Sequence, residues 1–397
     1  MNYHLDQMPE ILSILAKKLK LAIVFSGDPR DKDAVVNQTF QQRHWKSYMQ
    51  VAGDLTTSLE ALGFSDVCMV PDDMNMLATL KREGIDLVWL NSGGVQGKNA
   101  IAHAAGMLEM AGIPYVGHSP LNYALMDDKL AFKRMLRGIN INTAAYVVWD
   151  PLVYGQPKNI LPKFREILAS GVDSDVNRWV VKPVTGRASR FIHTVTSEKE
   201  LVAAIADIYH HTFNTVIVEA YLPGLEFCVA GGPRVWRADE HFSKPAEPRL
   251  FSYIHRRLAP HEYIFTSMDE TPISRKRVEL LDSRKDAAVR KGLDALCGTA
   301  IDMLCLKHLI RMDVREDAWG KLSVMEVNPK PDLARPTAEK VSLVALGLPE
   351  LGITYDDLVC SQLASFIDHE LTYRPVSITG IIDVLTAAGL SLTCPPV

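Results

Sequence analysis

Two short runs in the last quarter of the chain carry the residue types best suited to chemistry: Arg311 and Asp313 in IRMDV, and Glu326 and Asn328 in MEVNPKP. Side chains on a strand alternate between faces, so Arg311 and Asp313 share one face while Ile310, Met312 and Val314 share the other. Glu326 and Asn328 repeat the pattern against Met325 and Val327. The polar segment REDAWGK between the runs, with Gly320, reads as the turn of a hairpin. Paired in this way, the runs collect Arg311, Asp313, Glu326 and Asn328 on one polar face. Carboxylate and carbonyl oxygens are what Mg²⁺ takes into an octahedral shell shared with substrate phosphates, and the arginine adds a place for an anion. A solvated, salt-bridged sheet face would use the same residues.

Three stretches upstream suit a nucleotide. In RWVVKPVTGRASRF, Lys182 ends an apolar run and faces a loop with Gly186 and the small residues Ala188 and Ser189, whose backbone N–H groups fit a phosphate. In TVIVEAYLPGLEFCV, Glu219 closes an apolar run, and Ala220, Tyr221 and Leu222 lead into a connecting segment. Main-chain groups unpaired by a ladder suit an adenine edge there, and Glu226 offers a carboxylate to ribose hydroxyls. Lys129 lies on the amphipathic helix MDDKLAFK. Each stretch alone is ordinary: a lysine before a loop, a turn between solvated glutamates, a helix-surface lysine. Their order is specific, running from lysine helix to lysine strand, acidic connector and polar hairpin.

The elements that must position these residues follow from hydrophobic periodicity. From residue 19 to about 118, apolar runs (LKLAIVF, DVCMVP, IDLVWL, IPYVG) alternate with helical patterns at 44–62, 73–83 and 99–112, the signature of an open α/β sheet with crossover helices. The expected organisation is an N-terminal α/β domain over 1–118, a small α+β lobe over 119–220 and a second lobe over 221–397. In these, PLVYGQPKN reads as a linker, 232–275 as polar and irregular, 284–304 and 355–370 as helices, and the tail from Tyr373 as a peripheral addition.

At 397 residues, 47% hydrophobic, the chain can bury cores of that number. A formal charge of −4 gives no broad basic field for nucleic acid or a membrane surface. Six scattered cysteines without CxxC spacing argue against a zinc ribbon or a disulfide framework and for a reducing, cytoplasmic setting. The order of charge and apolar residues at the N-terminus does not fit a signal peptide, and no apolar run is long enough to span a membrane.

From about residue 84 to 370 the chain resembles the ATP-grasp superfamily, and within it the D-alanine:D-alanine ligases, through AGMLEMAGIPYVG, ALMDDKLAFKRML, WVVKP, VIVEAYLPGLEFCV, IRMDV, MEVNPKP and LGITYDDLV in family order. The resemblance implies two lobes grasping ATP, phosphorylation of a carboxylate and attack by an amine on the acyl phosphate. It implies ATP and two Mg²⁺ ions, with Mn²⁺ as a substitute, and small carboxylate and amine substrates such as amino acids or peptides; it also allows a homodimer through the N-terminal lobe. Lys129, Lys182 and the Ser189 loop would contact phosphates, Glu219, Ala220, Tyr221 and Leu222 adenine, Glu226 ribose, and Asp313, Glu326 and Asn328 the ions. Arg311 would stabilise the tetrahedral intermediate.

The departures concern substrates. NSGGVQGKNA at 91–100 stands where those ligases carry a His-Gly segment, and SGDPRDKDAVV replaces the segment that grips the first D-alanine's ammonium. Asp332 replaces a glycine, Arg335-Pro336-Thr337 replaces a serine pair, and ASRF brings Arg187 and Arg190 to the phosphate loop. The expectation is a donor other than D-alanine and an anionic acceptor, such as an L-amino acid or peptide carboxylate, met by Arg187, Lys330 and Arg335. A grasp-fold kinase or a catalytically silent nucleotide-binding module would keep many of the same motifs.

Overall fold

The computed structural model describes residues 3–35, 45–169, 178–186, 190–259, 262–264, 273, 275–337 and 341–392. Strands β1 (Leu21–Phe25), β2 (Val67–Pro71), β3 (Leu87–Asn91) and β4 (Tyr115–Val116) form a parallel sheet in the order β2-β1-β3-β4. Every residue of β1 and β3 is buried, as unbroken apolar runs require when helices cover both faces. The crossover helices Trp45–Ala61, Met76–Glu83 and Ile101–Ala111 fall where periodicity places them, and Gly84 and Gly112 end the last two in the left-handed conformation.

The second sheet is antiparallel, β5 (Tyr146–Trp149), β6 (Trp179–Pro183), β7 (His193–Val195) and β8 (Val216–Ala220) in the order β5-β8-β6-β7, packed against helix Glu198–Thr212. The third is also antiparallel, with β9 (Glu226–Gly231), β12 (Leu250–Arg256), β13 (Val278–Leu280), β14 (Ile310–Glu316) and β15 (Leu322–Asn328) in the order β13-β12-β9-β14-β15. A small ribbon, β10 (Trp236–Ala238) with β11 (His241–Ser243), stands beside it. Helix Ala287–Met303 covers one face of the third sheet.

The structure differs from the sequence reading in three places. PLVYGQPKN is helical rather than linker-like: Asp150 accepts from the Leu152 amide at 2.8 Å and opens the helix Pro151–Tyr154, and a 3₁₀ turn, Pro157–Ile160, follows. The supposedly irregular stretch contains β10, β11 and β12. Ser252, at φ 51°, bends β12 where its register against β9 shifts, and this breaks the alternation that would have disclosed the strand. The tail is not peripheral: helix Thr379–Ala387 packs on helix Met8–Lys18, so that Ile381 and Leu385 share a core with Met8, Ile11 and Leu15. The long helix Tyr355–Tyr373 completes this core from the other side through Leu358, Leu363 and Ile367. Among the described residues no helix is long and apolar enough to cross a membrane.

One buried polar contact ties the first sheet to the third. His118, which follows β4 and is 1% exposed, has Nε2 3.3 Å from the Leu309 carbonyl that precedes β14, and Nδ1 has no hydrogen-bond partner among the described residues. Burial pushes its pKa down to about 4, and the neighbouring His308 is also lowered, chiefly by burial. The unfolded chain therefore takes up protons that the folded chain refuses. Stability is fully present above the ordinary histidine pKa and is lost as pH falls from about 6.5 to 4, by about 1.4 kcal/mol per unit for His118 alone. Urea denaturation across that range should show this slope, and His118→Asn should reduce it; an unchanged slope would assign the acid sensitivity elsewhere.

Candidate active site

The hairpin exists, with one refinement. Arg311 pairs across with Asn328 and Asp313 with Glu326, but the register then shifts so that Val314 faces Val324 and Arg315 faces Ser323. The cause is legible in LSVMEVN. Val324 and Val327 are both core residues, yet three apart they cannot occupy one face of a regular strand. A bulge at Met325 reconciles them and leaves Glu326 and Asn328 on the polar face.

On that face Asp313 is buried and held by two arginines. Arg311 donates through Nε at 2.9 Å and Nη2 at 3.0 Å, and Arg256 of β12 through Nη1 at 3.2 Å. Burial alone would raise the Asp313 pKa; the two guanidinium groups hold it below the usual carboxylate value. Arg256 also reaches Glu226 at 2.6 Å, and Arg315 meets the other Glu226 oxygen at 3.1 Å while donating to the Tyr221 hydroxyl at 2.9 Å. A continuous charged chain, Arg311–Asp313–Arg256–Glu226–Arg315, thus crosses β14, β12 and β9 and ends at Tyr221. Arg256 and Arg315 were missed in the sequence. Arg256 lies on the unrecognised β12, whereas Arg315 continues the alternation of Arg311 and Asp313 and could have been read from it.

The second sheet supplies the lysines. Lys182 on β6 and Lys133 on helix Lys129–Gly138 grip the two oxygens of Glu219 on β8, at 2.9 and 3.2 Å. Glu219 is inside the strand rather than after it, and its side chain and that of Lys133 are both 0% exposed. Burial pushes the Lys133 pKa down to about 8, whereas Lys182, despite its burial, is carried above the ordinary lysine value by Glu219 and Glu326. Lys133 also escaped sequence reading, although it sits one helical turn after Lys129. Lys129 donates to the Gly186 carbonyl at 3.0 Å and lies 3.8 Å from Glu326, which bridges the two sheets across the cleft. The amides of Ala220 and Tyr221 bond to Ala145 and Arg178, and Leu222 is buried beside them.

The residues assigned to substrates have different settings. Arg187 and Ser189 lie outside the described residues. Lys330 sits 3.6 Å from the centre of the Tyr48 ring. Arg335 pairs with Asp356, stacks on Tyr355 and donates its amide to Asp54 at 2.9 Å, so its guanidinium is engaged by the helices rather than directed at the hairpin. The loops after β1 and β3 are joined by buried Asp72, which accepts from Gly27 N at 3.1 Å and Ser92 Oγ at 2.6 Å. These loops rim the crevice where the strand order reverses, the usual ligand position on a parallel sheet. Gly94, at φ 82°, is required there, because a Cβ would come within 2.3 Å of the Ala100 backbone.

The side chains present fit a magnesium nucleotide. Among the described residues no group of three or more His, Cys, Asp or Glu side chains is placed to hold a metal. Mg²⁺, however, is commonly bound by one or two carboxylates plus phosphates and water, which Asp313 and Glu326 match. Asn328 adds an amide whose buried Nδ2 has no partner among the described residues, and a half-turn would present its oxygen instead. Lys129 and Lys182 are cations at the cleft of the kind a polyphosphate would need.

This architecture, a parallel α/β domain followed by two antiparallel lobes facing each other across charged residues, is that of the ATP-grasp fold. Residues 165–364 match the family model described as D-ala D-ala ligase C-terminus. The D-alanine–D-alanine ligase of Synechococcus sp. (strain JA-3-3Ab) is 30% identical over 320 residues, covering 80% of this chain and 88% of that protein. That of Pseudomonas entomophila (strain L48) is 27% identical over 311 residues, covering 78% and 86%. Among solved structures, the VanG D-Ala:D-Ser ligase from Enterococcus faecalis superposes with a TM-score of 0.64 at 18% identity, over 88% of this chain and 100% of that one. The D-alanine–D-alanine ligase from Coxiella burnetii gives 0.64 at 16%, over 94% and 99%. The chain belongs to the D-alanine–D-alanine ligase family.

The Glu219 cluster predicts a stability effect of definite size. Removing this carboxylate leaves two buried ammonium groups facing each other, and breaking a buried pair in this way costs about 3–5 kcal/mol. Glu219→Ala should lower the urea midpoint accordingly, whereas Lys129→Ala, at the partly open end of the cleft, should change it far less. Equal small effects would mean that the charges at Glu219 are not sealed from water.

Proposed function

We propose that the protein is an ATP-dependent carboxylate–amine ligase that forms a peptide or amide bond through an acyl phosphate. The observation that carries this reading is the juxtaposition of Asp313, Glu326 and Asn328 with Arg311 on one face, opposite Lys129 and Lys182. In this reading Lys129, Lys182 and the loop containing Ser189 bind phosphates, the main chain at Tyr221–Leu222 meets adenine and Glu226 the ribose. Asp313, Glu326 and Asn328 would hold Mg²⁺, which when bound neutralises phosphate charge. Arg311 then offers its guanidinium to the oxygen that gains negative charge when the amine attacks. A kinase or silent module has less use for that arginine.

The substrates inferred are a donor carboxylate other than D-alanine and an anionic acceptor. Asp72, the buried acid of the crevice, is engaged by Gly27 and Ser92 and so is poorly suited to gripping an ammonium group. Lys330, just after β15, sits against Tyr48, whose carbonyl accepts from Asn91 at the end of β3, and in this reading Arg335 would exchange Asp356 for an acceptor carboxylate. Peptide-bond formation of the kind named for the relatives is the expected chemistry, with these pockets selecting the reactants.

ADP release discriminates among the readings: a ligase turns over only when carboxylate and amine are both supplied, a kinase with one acceptor, a binding module with neither. Efficient synthesis of D-alanyl-D-alanine would overturn the substrate claim. Glu326→Gln, which removes charge with little change in shape, should abolish turnover while leaving the melting temperature near wild type. Arg311→Lys should lower kcat by about two to three orders of magnitude with little change in ATP affinity. If ATP affinity falls and kcat holds, Arg311 is a nucleotide ligand instead.

A further inference from the structure

Lys133 has no place in the chemistry above, yet it is among the largest fully buried side chains of the protein. Its Nζ lies 3.2 Å from Glu219 Oε2 and 2.7 Å from Thr143 Oγ1, and with no exposure it cannot touch a ligand. Lys182 holds the other Glu219 oxygen at 2.9 Å and keeps 7% of its side chain exposed. One lysine would have neutralised Glu219. The second gives the triad a net positive charge in a site closed to solvent on Glu219 and Lys133, where an uncompensated ion is costly. The excess faces one way, because the triad's open member is Lys182, whose charge is felt by Glu326 and Asp313 at the cleft.

We propose that Lys133 is a positioning residue for the polyphosphate of the nucleotide: by taking one oxygen of Glu219, it leaves the charge of Lys182 undercompensated and available to a bound phosphate. The inference rests on the nucleotide reading of the cleft. Lys133 acts through Glu219 and Lys182 and makes no contact of its own, so its effect belongs to the phosphates and not to the nucleoside. Without it, Glu219 and Lys182 form a neutral pair, and the cleft loses one positive charge from beneath.

The test is calorimetric titration of the full chain with ATP, tripolyphosphate and adenosine in the absence of divalent metal, for wild type and Lys133→Met. Removing one charge should weaken ATP and tripolyphosphate by about tenfold and leave adenosine within about twofold. Lys133→Gln, which keeps a donor for Thr143, should give the same split and serves if the methionine variant does not fold. Unchanged ATP affinity, or equal losses for ATP and adenosine, would overturn the proposal; equal losses would make Lys133 a packing residue joining helix to strand. If wild-type protein binds neither ATP nor tripolyphosphate, the nucleotide reading fails as well, which separates the two ideas.

Discussion

Carboxylates buried between pairs of cations are the constraint on which the rest of this site depends. Glu219 is gripped by Lys133 and Lys182, Asp313 by Arg256 and Arg311, and Glu226 by Arg256 and Arg315. Burial pushes a carboxylate toward its neutral form, and the paired cations hold Glu219 and Asp313 below the usual carboxylate value against that push. Each pair also comes from different elements. Glu219 joins β8 to β6 and to the helix Lys129–Gly138; Arg256 joins β12 to both β9 and β14. Charge balance therefore fixes the relative placement of elements whose apolar faces could slide past one another.

Arg256 is the clearest case. It bridges Glu226, at the proposed nucleoside end, and Asp313, at the proposed metal end. On the proposed reading, an ion that engages Asp313 would share it with two guanidinium groups, and phosphate oxygens that drew the arginines away would strengthen its hold, so that metal and nucleotide would favour each other's binding.

Much of this could be read from the chain. The parallel domain announced itself through alternating apolar runs and helical patterns, because buried parallel strands are apolar at nearly every position. Arg311, Asp313, Glu326 and Asn328 were placed together by strand alternation. Alternation failed where backbone geometry departs from a regular strand: Ser252 bends β12 and hid Arg256, and the bulge at Met325 reverses the faces of β15 below Glu326. Lys133 was concealed for a different reason. An amphipathic helix with four basic side chains looks solvated, and only the fold shows which lysine turns inward. Glu219 looked like the end of a strand because its charge interrupts an apolar run, when two lysines allow it to remain inside.

The C-terminal elements show why the cleft and the parallel domain behave as one frame. The segment leaving β15 carries Lys330 to Tyr48 and Arg335 to Asp54 and Asp356, and Tyr48 accepts from Asn91 at the end of β3. The chain then runs into helix Tyr355–Tyr373 and on to Thr379–Ala387, both packed with the N-terminal helix Met8–Lys18 in a single core. The tail therefore stabilises the domain at the opposite end of the sequence, a long-range closure that sequence proximity conceals. It follows that the hairpin carrying Glu326 and Asn328 is anchored to the crevice at the ends of β1 and β3, while the sheet carrying Lys182 meets that hairpin across a cleft bridged by Lys129 and Glu326. That bridge is looser than the ion pairs of the Glu219 and Asp313 clusters, at 3.8 Å with one partner a third exposed, so the cleft is held together less tightly than the clusters on either side of it.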